Sequence, residues 1–201
     1  MSKGIRNLII VLAIVVVLAV LMVSYVIGKY NAIIPRDEAV KNAWSQVENQ
    51  YKRRFDLIPN LVETVKGYAE HEKETFIAVT EARGKVGQLN ITPEIINNPE
   101  AMSQFQQAQQ GLGSVLSRLL VVLERYPELK ANQNFIRLQD ELAGTENRIA
   151  VERRRYNDMV RDYNAYIRRF PTNVFAGMFG FRQAAYFEAP AEAEEAPKVE
   201  F

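Results

Sequence analysis

The chain has 201 residues, 25 basic against 24 acidic, and no cysteine. The missing cysteine excludes disulfides, thiolate metal sites and cysteine nucleophiles, and the even charge offers neither a basic surface for nucleic acid nor an acidic one for metal buffering. Beyond an apolar N-terminus, roughly 170 residues remain, enough for one domain with its own core.

Lys3 and Arg6 precede an uncharged run over residues 8–27, which includes Leu8, Val16 and Ile27 and has only Ser24 and Tyr25 as mildly polar members. At ~1.5 Å per residue such a run crosses a hydrocarbon core of ~30 Å. Lipid offers the backbone no hydrogen bonds, so the run must be helical. Lys29 ends it, and Tyr25 and Tyr30 suit an interfacial aromatic belt. A cleaved signal has a shorter apolar region and a small-x-small cleavage site, which residues 23–28 lack. Residues 1–29 are therefore expected to be a retained single-pass anchor, with the lipid bilayer as the first partner. Lys3 and Arg6 on one side nearly balance Lys29, Arg36 and Lys41 on the other. The short basic N-terminus tilts the expectation toward a domain outside the cytoplasm.

Pro35-Arg36-Asp37-Glu38 reads as a new helix start, followed by Val40, Trp44, Val47 and Tyr51 at three- and four-residue steps. Asp56 and Pro59 predict an interruption and a second helix with the stripe Ile58, Leu61, Val62, Val65, Tyr68, Phe76, Val79 and Val86. Residues 87–99 read as a linker of turn chemistry. A third helix carries Phe105, Leu112, Leu116, Leu119 and Leu123, weakened by Gly111 and Gly113, and stops at Tyr126-Pro127. A fourth carries Phe135, Leu142, Ile149, Tyr156, Val160, Tyr163 and Ile167, and ends at Phe170-Pro171. Long amphipathic segments without strand alternation predict an all-α fold, a transmembrane helix followed by an antiparallel long-helix bundle over residues 30–170. Residues 171–187 are rich in phenylalanine and glycine, and the acidic Ala/Glu/Pro tail, 188–201, is expected to be disordered.

Catalytic patterns do not assemble. His71 is the only histidine, and Thr75 stands where a zinc-protease helix needs a second one, so His71 reads as a solvated helix residue. Gly84-Lys85 lacks the rest of a phosphate loop. No glutamate has a histidine three residues later, which excludes a di-iron bundle pattern. No metal or cofactor is expected. The clusters Lys52-Arg53-Arg54 and Arg153-Arg154-Arg155 lie beside aromatics, but Glu152, Asp158 and Asp162 break any positive track for nucleic acid. Thr145 and Glu152 interrupt the apolar stripe of the fourth helix, and a charge in that register needs a partner, with Arg53 or Arg54 as candidates.

The runs Arg53-Arg54-Phe55-Asp56-Leu57-Ile58-Pro59-Asn60-Leu61-Val62 and Tyr126-Pro127-Glu128-Leu129-Lys130-Ala131-Asn132, and above all residues 138–164, resemble the LemA family of bacterial membrane-anchored proteins. Phe170-Pro171-Thr172-Asn173 and Gly180-Phe181 extend the likeness. The resemblance implies a bacterial cell membrane, one N-terminal span and a helical bundle, and it implies no particular reaction.

The function expected is thus a non-enzymatic, membrane-tethered scaffold that binds protein partners or copies of itself. The alternative is a ligand-binding or enzymatic bundle using the polar face of the fourth helix. The candidate interaction residues are Arg53, Arg54, Asp56, Glu146, Arg148, Glu152 and Arg153, with Phe175, Phe179 and Phe181 as an apolar surface for self-assembly, back-packing or membrane contact.

Overall fold

The computed structural model describes residues 3–68, 72–89 and 93–188. Among these residues the regular structure is entirely helical. The first helix, α1 (Lys3–Lys66), is a single element of 64 residues, roughly 95 Å long at 1.5 Å per residue. Its first third is exposed and holds a window of mean hydropathy 3.2, a candidate transmembrane span that includes Leu8, Val16 and Ile27.

α1 runs straight through Pro35 and Pro59, where the sequence predicted a helix start and a break. An interior proline removes one ladder hydrogen bond and costs about 3 kcal/mol. At Pro59 the orphaned acceptor is the Phe55 carbonyl, and Arg83 donates its Nε–H to that oxygen at 3.3 Å. The same guanidinium lies 3.8 Å from the Phe55 ring centroid. At Pro35, Arg36 Nη1 donates to the Ala32 carbonyl at 2.7 Å, beside the carbonyl the proline leaves free. At Pro59 the orphaned acceptor is thus met by a donor from a distant part of the chain, which the local pattern does not reveal.

Only the later part of the predicted second helix is separate, as α2 (Lys73–Gly87). His71 lies outside the described residues. The expected linker is partly core: residues 93–97 form a 3₁₀ turn that buries Ile95 and Ile96. Asn98 then caps α3 (Pro99–Leu123), accepting from the Glu100 and Ala101 N–H groups. α3 passes Gly111 and Gly113 unbroken. Each glycine costs about 1 kcal/mol, less than the roughly 2 kcal/mol gained by burying each of Leu112, Leu116 and Leu119. A short α4 (Pro127–Lys130) leads to α5 (Gln133–Arg168), capped by Asn132, and then α6 (Thr172–Met178). Gly180, at φ +79°, makes the turn out of α6 that a side chain would strain. Of the acidic tail, only Glu188 is described.

α1 and α5 form the main antiparallel pair, and α2 lies against α3. The core has two parts. One, nearer the apolar segment, gathers Ile33, Val40, Trp44 and Val47 with Phe105, Tyr156, Val160 and Tyr163. Trp44 meets Phe105 and Tyr156 edge-on at 5.4 and 5.7 Å and stacks on Phe187 at 5.9 Å. The other gathers Ile58, Leu61 and Val65 with Leu112, Leu116, Leu119, Leu123 and Leu142.

The Pro59 account is testable by a double-mutant cycle on the full chain in mild detergent. Arg83→Ala should destabilise by about 1–2 kcal/mol in the parent chain, and Pro59→Ala should reduce that cost toward zero by restoring the helical donor. Equal Arg83→Ala costs in both backgrounds would remove the link.

Candidate functional site

Between the two core clusters lies a polar layer. From residue 47 onward the buried positions of α1 are Val47, Tyr51, Arg54, Ile58, Leu61 and Val65, so Arg54 occupies a step of the apolar stripe. On α3 the same step is taken by Gln109, between Phe105 and Leu112, and on α5 by Thr145, between Leu142 and Ile149. Arg54 is only 3% exposed. Its Nη1 donates to Glu146 Oε1 at 2.8 Å, and its Nη2 donates to the Gln109 carbonyl at 3.1 Å and to the Gln109 side-chain oxygen. The guanidinium also lies 5.1 Å from the Tyr51 ring centroid. Its Nε has no hydrogen-bond partner among the described residues. Thr145 turns its hydroxyl back to the Glu141 carbonyl at 2.7 Å.

The partner of the buried cation is therefore Glu146, and Glu152 has a different one. Glu152 sits at the core edge and accepts from Arg155 Nη1 at 2.8 Å. Arg53 points outward, 3.8 Å from Glu141. Arg148 reaches Gln50 Oε1 and Thr145 Oγ1, both at 3.3 Å. Arg53, Glu141 and Arg148, together with Arg137 and Asp140, line an open depression of about 440 Å³. Asp56 is elsewhere, on the rim of a cleft of about 390 Å³ whose floor is Tyr51, Phe55, Val86, Leu89 and Phe105.

Arg153 belongs to a second arrangement, the docking of residues 181–188 onto α5. This segment is extended, and side-chain amides supply its ladder. Asn164 both donates to the Ala184 carbonyl at 2.8 Å and accepts from the Ala184 N–H at 2.9 Å. Asn157 does the same for Phe187, at 2.8 and 2.9 Å. Seven helical residues rise about 10.5 Å, close to the length of three residues of extended chain, so the two asparagines meet the segment at a three-residue repeat and not at the two-residue repeat of a β-strand. Gln106 of α3 closes the other side, donating to Tyr186 and accepting from the Glu188 N–H. Arg153 donates to the Glu188 carbonyl at 2.9 Å and lies 4.8 Å from the Phe187 ring centroid. Gln106, Gln109, Asn157 and Asn164 were not singled out by the sequence reading. Their signal was there: amides at or beside apolar-stripe positions, where a polar group needs a partner.

Phe175, Phe179 and Phe181 do not meet the polar layer. They lie against Tyr25 and Tyr30 of α1, with centroid separations of 6.2 Å for Phe175–Tyr25 and 5.0 Å for Phe179–Tyr30. Among the described residues no group of three or more carboxylate, histidine or cysteine side chains is placed to hold a metal.

Burial raises the pKa values of the tyrosines around the docked segment. Tyr156 is held well above the ordinary value by desolvation, and Tyr163 is pushed up to about 12 by desolvation and then by Asp37. Both phenols donate to the segment, Tyr156 to the Ala185 carbonyl at 2.8 Å and Tyr163 to the Arg182 carbonyl at 2.9 Å.

The chain matches the LemA family over residues 43–201. It is 28% identical to magnetosome protein MamQ 2 of Paramagnetospirillum magneticum, across 95% of this chain and 76% of that protein. It is 27% identical to magnetosome protein MamQ of Magnetospirillum gryphiswaldense, across 90% and 72%. It is 26% identical to protein LemA of Metamycoplasma hominis, across 92% and 80%.

Two predictions follow from the buried chemistry. Glu146 is 43% exposed, and as a surface pair its loss would cost well under ~1 kcal/mol. Because its partner is buried, Glu146→Ala should instead cost about 2 kcal/mol, and adding Arg54→Met should recover part of that loss. Denaturant melts showing a negligible Glu146→Ala effect would contradict the stranded-cation account. For Tyr163, a folded-state pKa of about 12 against 10.0 means stability that is complete below pH 10 and lost as pH rises toward 12. Tyrosinate absorbance should therefore rise together with loss of near-ultraviolet dichroism in that window. Ionisation near pH 10 with the fold intact would show that these phenols are not held neutral.

Proposed function

The chain belongs to the LemA family, and from that premise we propose that it is a non-enzymatic interaction scaffold of the bacterial cell membrane, with its bundle on the extracytoplasmic side. The observation that carries this reading is the continuity of α1. One helix is both the apolar segment and the central helix of the bundle. A joint of that kind holds a domain at a fixed distance from the bilayer, which suits presentation of a surface more than it suits substrate exchange. The surface presented is the depression bordered by Arg53, Asp140, Glu141 and Arg148, where both signs of charge lie exposed for a protein partner.

Photo-crosslinkers at Arg53 and Arg148 in native membranes test the reading. Discrete protein adducts, lost on Arg137→Glu with Asp140→Lys, are expected; an adduct of twice the chain mass would identify a second copy as the partner. Absence of any protein adduct from either position would overturn it.

A second reading rests on the cleft floored by Tyr51, Phe55, Val86, Leu89 and Phe105. Its size and apolar lining fall within the range of small-ligand sites. Native mass spectrometry of the full chain that found a small molecule, displaced by Gly87→Phe, would favour this alternative.

A further inference from the structure

Among the described residues, α6 and Phe170 before it carry an uncovered apolar surface. Phe170, Val174 and Met178 recur at four-residue steps and are 84%, 50% and 73% exposed. The opposite side of α6, Thr172 and Ala176, is buried against the bundle. The short helix is therefore apolar on the side facing away from the protein, the reverse of what water favours.

Its position explains the reversal. Phe175 meets Tyr25, which lies within the uncharged run, and Phe179 meets Tyr30, just past its end. Those tyrosines are five residues apart, about 7.5 Å of helix rise. α6 thus stands beside the last turn of the apolar segment, with its aromatic side chains spread over the depth of a headgroup–acyl boundary. The charge there has one sign. The sequence contains no acid in residues 1–36 and none in residues 163–187, while Lys29, Arg168, Arg169 and Arg182 fall in those stretches.

We propose that α6, with Phe170 and Phe179, is a second membrane contact that lies in the bilayer interface beside α1. Phe170, Val174 and Met178 enter the acyl boundary, and Arg168, Arg169 and Arg182 face anionic headgroups. The proposal rests on α1 spanning the bilayer. A second copy is a poorer occupant, because a two-fold contact through this patch would bring the same cations face to face. Two attachments also do what one helix cannot: they stop the bundle rotating about the α1 axis, which fixes the direction in which its polar face points.

The absence of cysteine makes the test direct. Met178→Cys, Leu18→Cys and Val121→Cys, each exposed, would carry a fluorophore on the full chain in phosphatidylcholine–phosphatidylglycerol vesicles. Spin-labelled lipids quench at shallow or deep positions. The Met178 label should lose most of its emission to the shallow quencher, the Leu18 label to the deep one, and the Val121 label to neither. Arg168→Glu, Arg169→Glu and Arg182→Glu together should relieve quenching at Met178 and leave Leu18 unchanged. A Met178 label as unquenched as Val121, beside a quenched Leu18, overturns the proposal and leaves the span standing. Self-quenching at Met178 without lipid quenching assigns the patch to a second copy and overturns it too. An unquenched Leu18 removes the membrane span and the proposal with it.

Discussion

The buried guanidinium of Arg54 is the constraint around which the bundle is arranged. A cation there is tolerated only when Glu146 of α5 and Gln109 of α3 are both at its level. Sliding α1 along either helix by one turn would bury the charge against Ile149 or Leu142, or against Phe105 or Leu112. Apolar stripes pack acceptably in several registers, since leucine against leucine differs little from leucine against isoleucine. The polar layer removes that freedom and divides the core into its two clusters.

Register matters more here than in an ordinary bundle because α1 extends beyond it. A shift of one turn between α1 and α5 would move α6 and its aromatics about 5.4 Å along the apolar segment. Arg36 marks the same alignment from the other end, where its Nε pairs with Asp162 at 3.2 Å and its guanidinium lies 4.1 Å from the Tyr166 ring centroid. The polar layer and this contact together set where Phe175, Phe179 and Phe181 meet Tyr25 and Tyr30. The helix continues through Pro59, where Arg83 supplies a donor to the acceptor that the proline leaves free.

The docked segment, residues 181–188, completes the cluster nearer the apolar segment. Ala184 and Phe187 are buried, and Phe187 fills the space between Trp44, Phe105 and Tyr156. An extended segment alone in a helical protein has no neighbouring strand, so its amides would go unpaired. Asn157, Asn164 and Gln106 substitute for that strand one side chain at a time.

Helical periodicity and the uncharged run were enough to establish an all-α chain with a long apolar N-terminal helix, because both are properties of neighbouring residues. Thr145 and Glu152 stood out for the same reason, as local breaks in an apolar stripe, and Arg54 as a candidate partner for a charge there. Which charge pairs with which was decided by the tertiary structure, since Arg54–Glu146 spans 92 residues of sequence and several carboxylates stand at similar helical positions. Pro59 was misleading on its own, because the donor that rescues its helix comes from α2. The roles of Asn157 and Asn164 were hidden likewise: an asparagine on a helix has the same local signature whether it faces water or holds a docked segment. Only folding brings residues 184 and 187 to them, and the energy of a buried hydrogen bond depends on both partners being there.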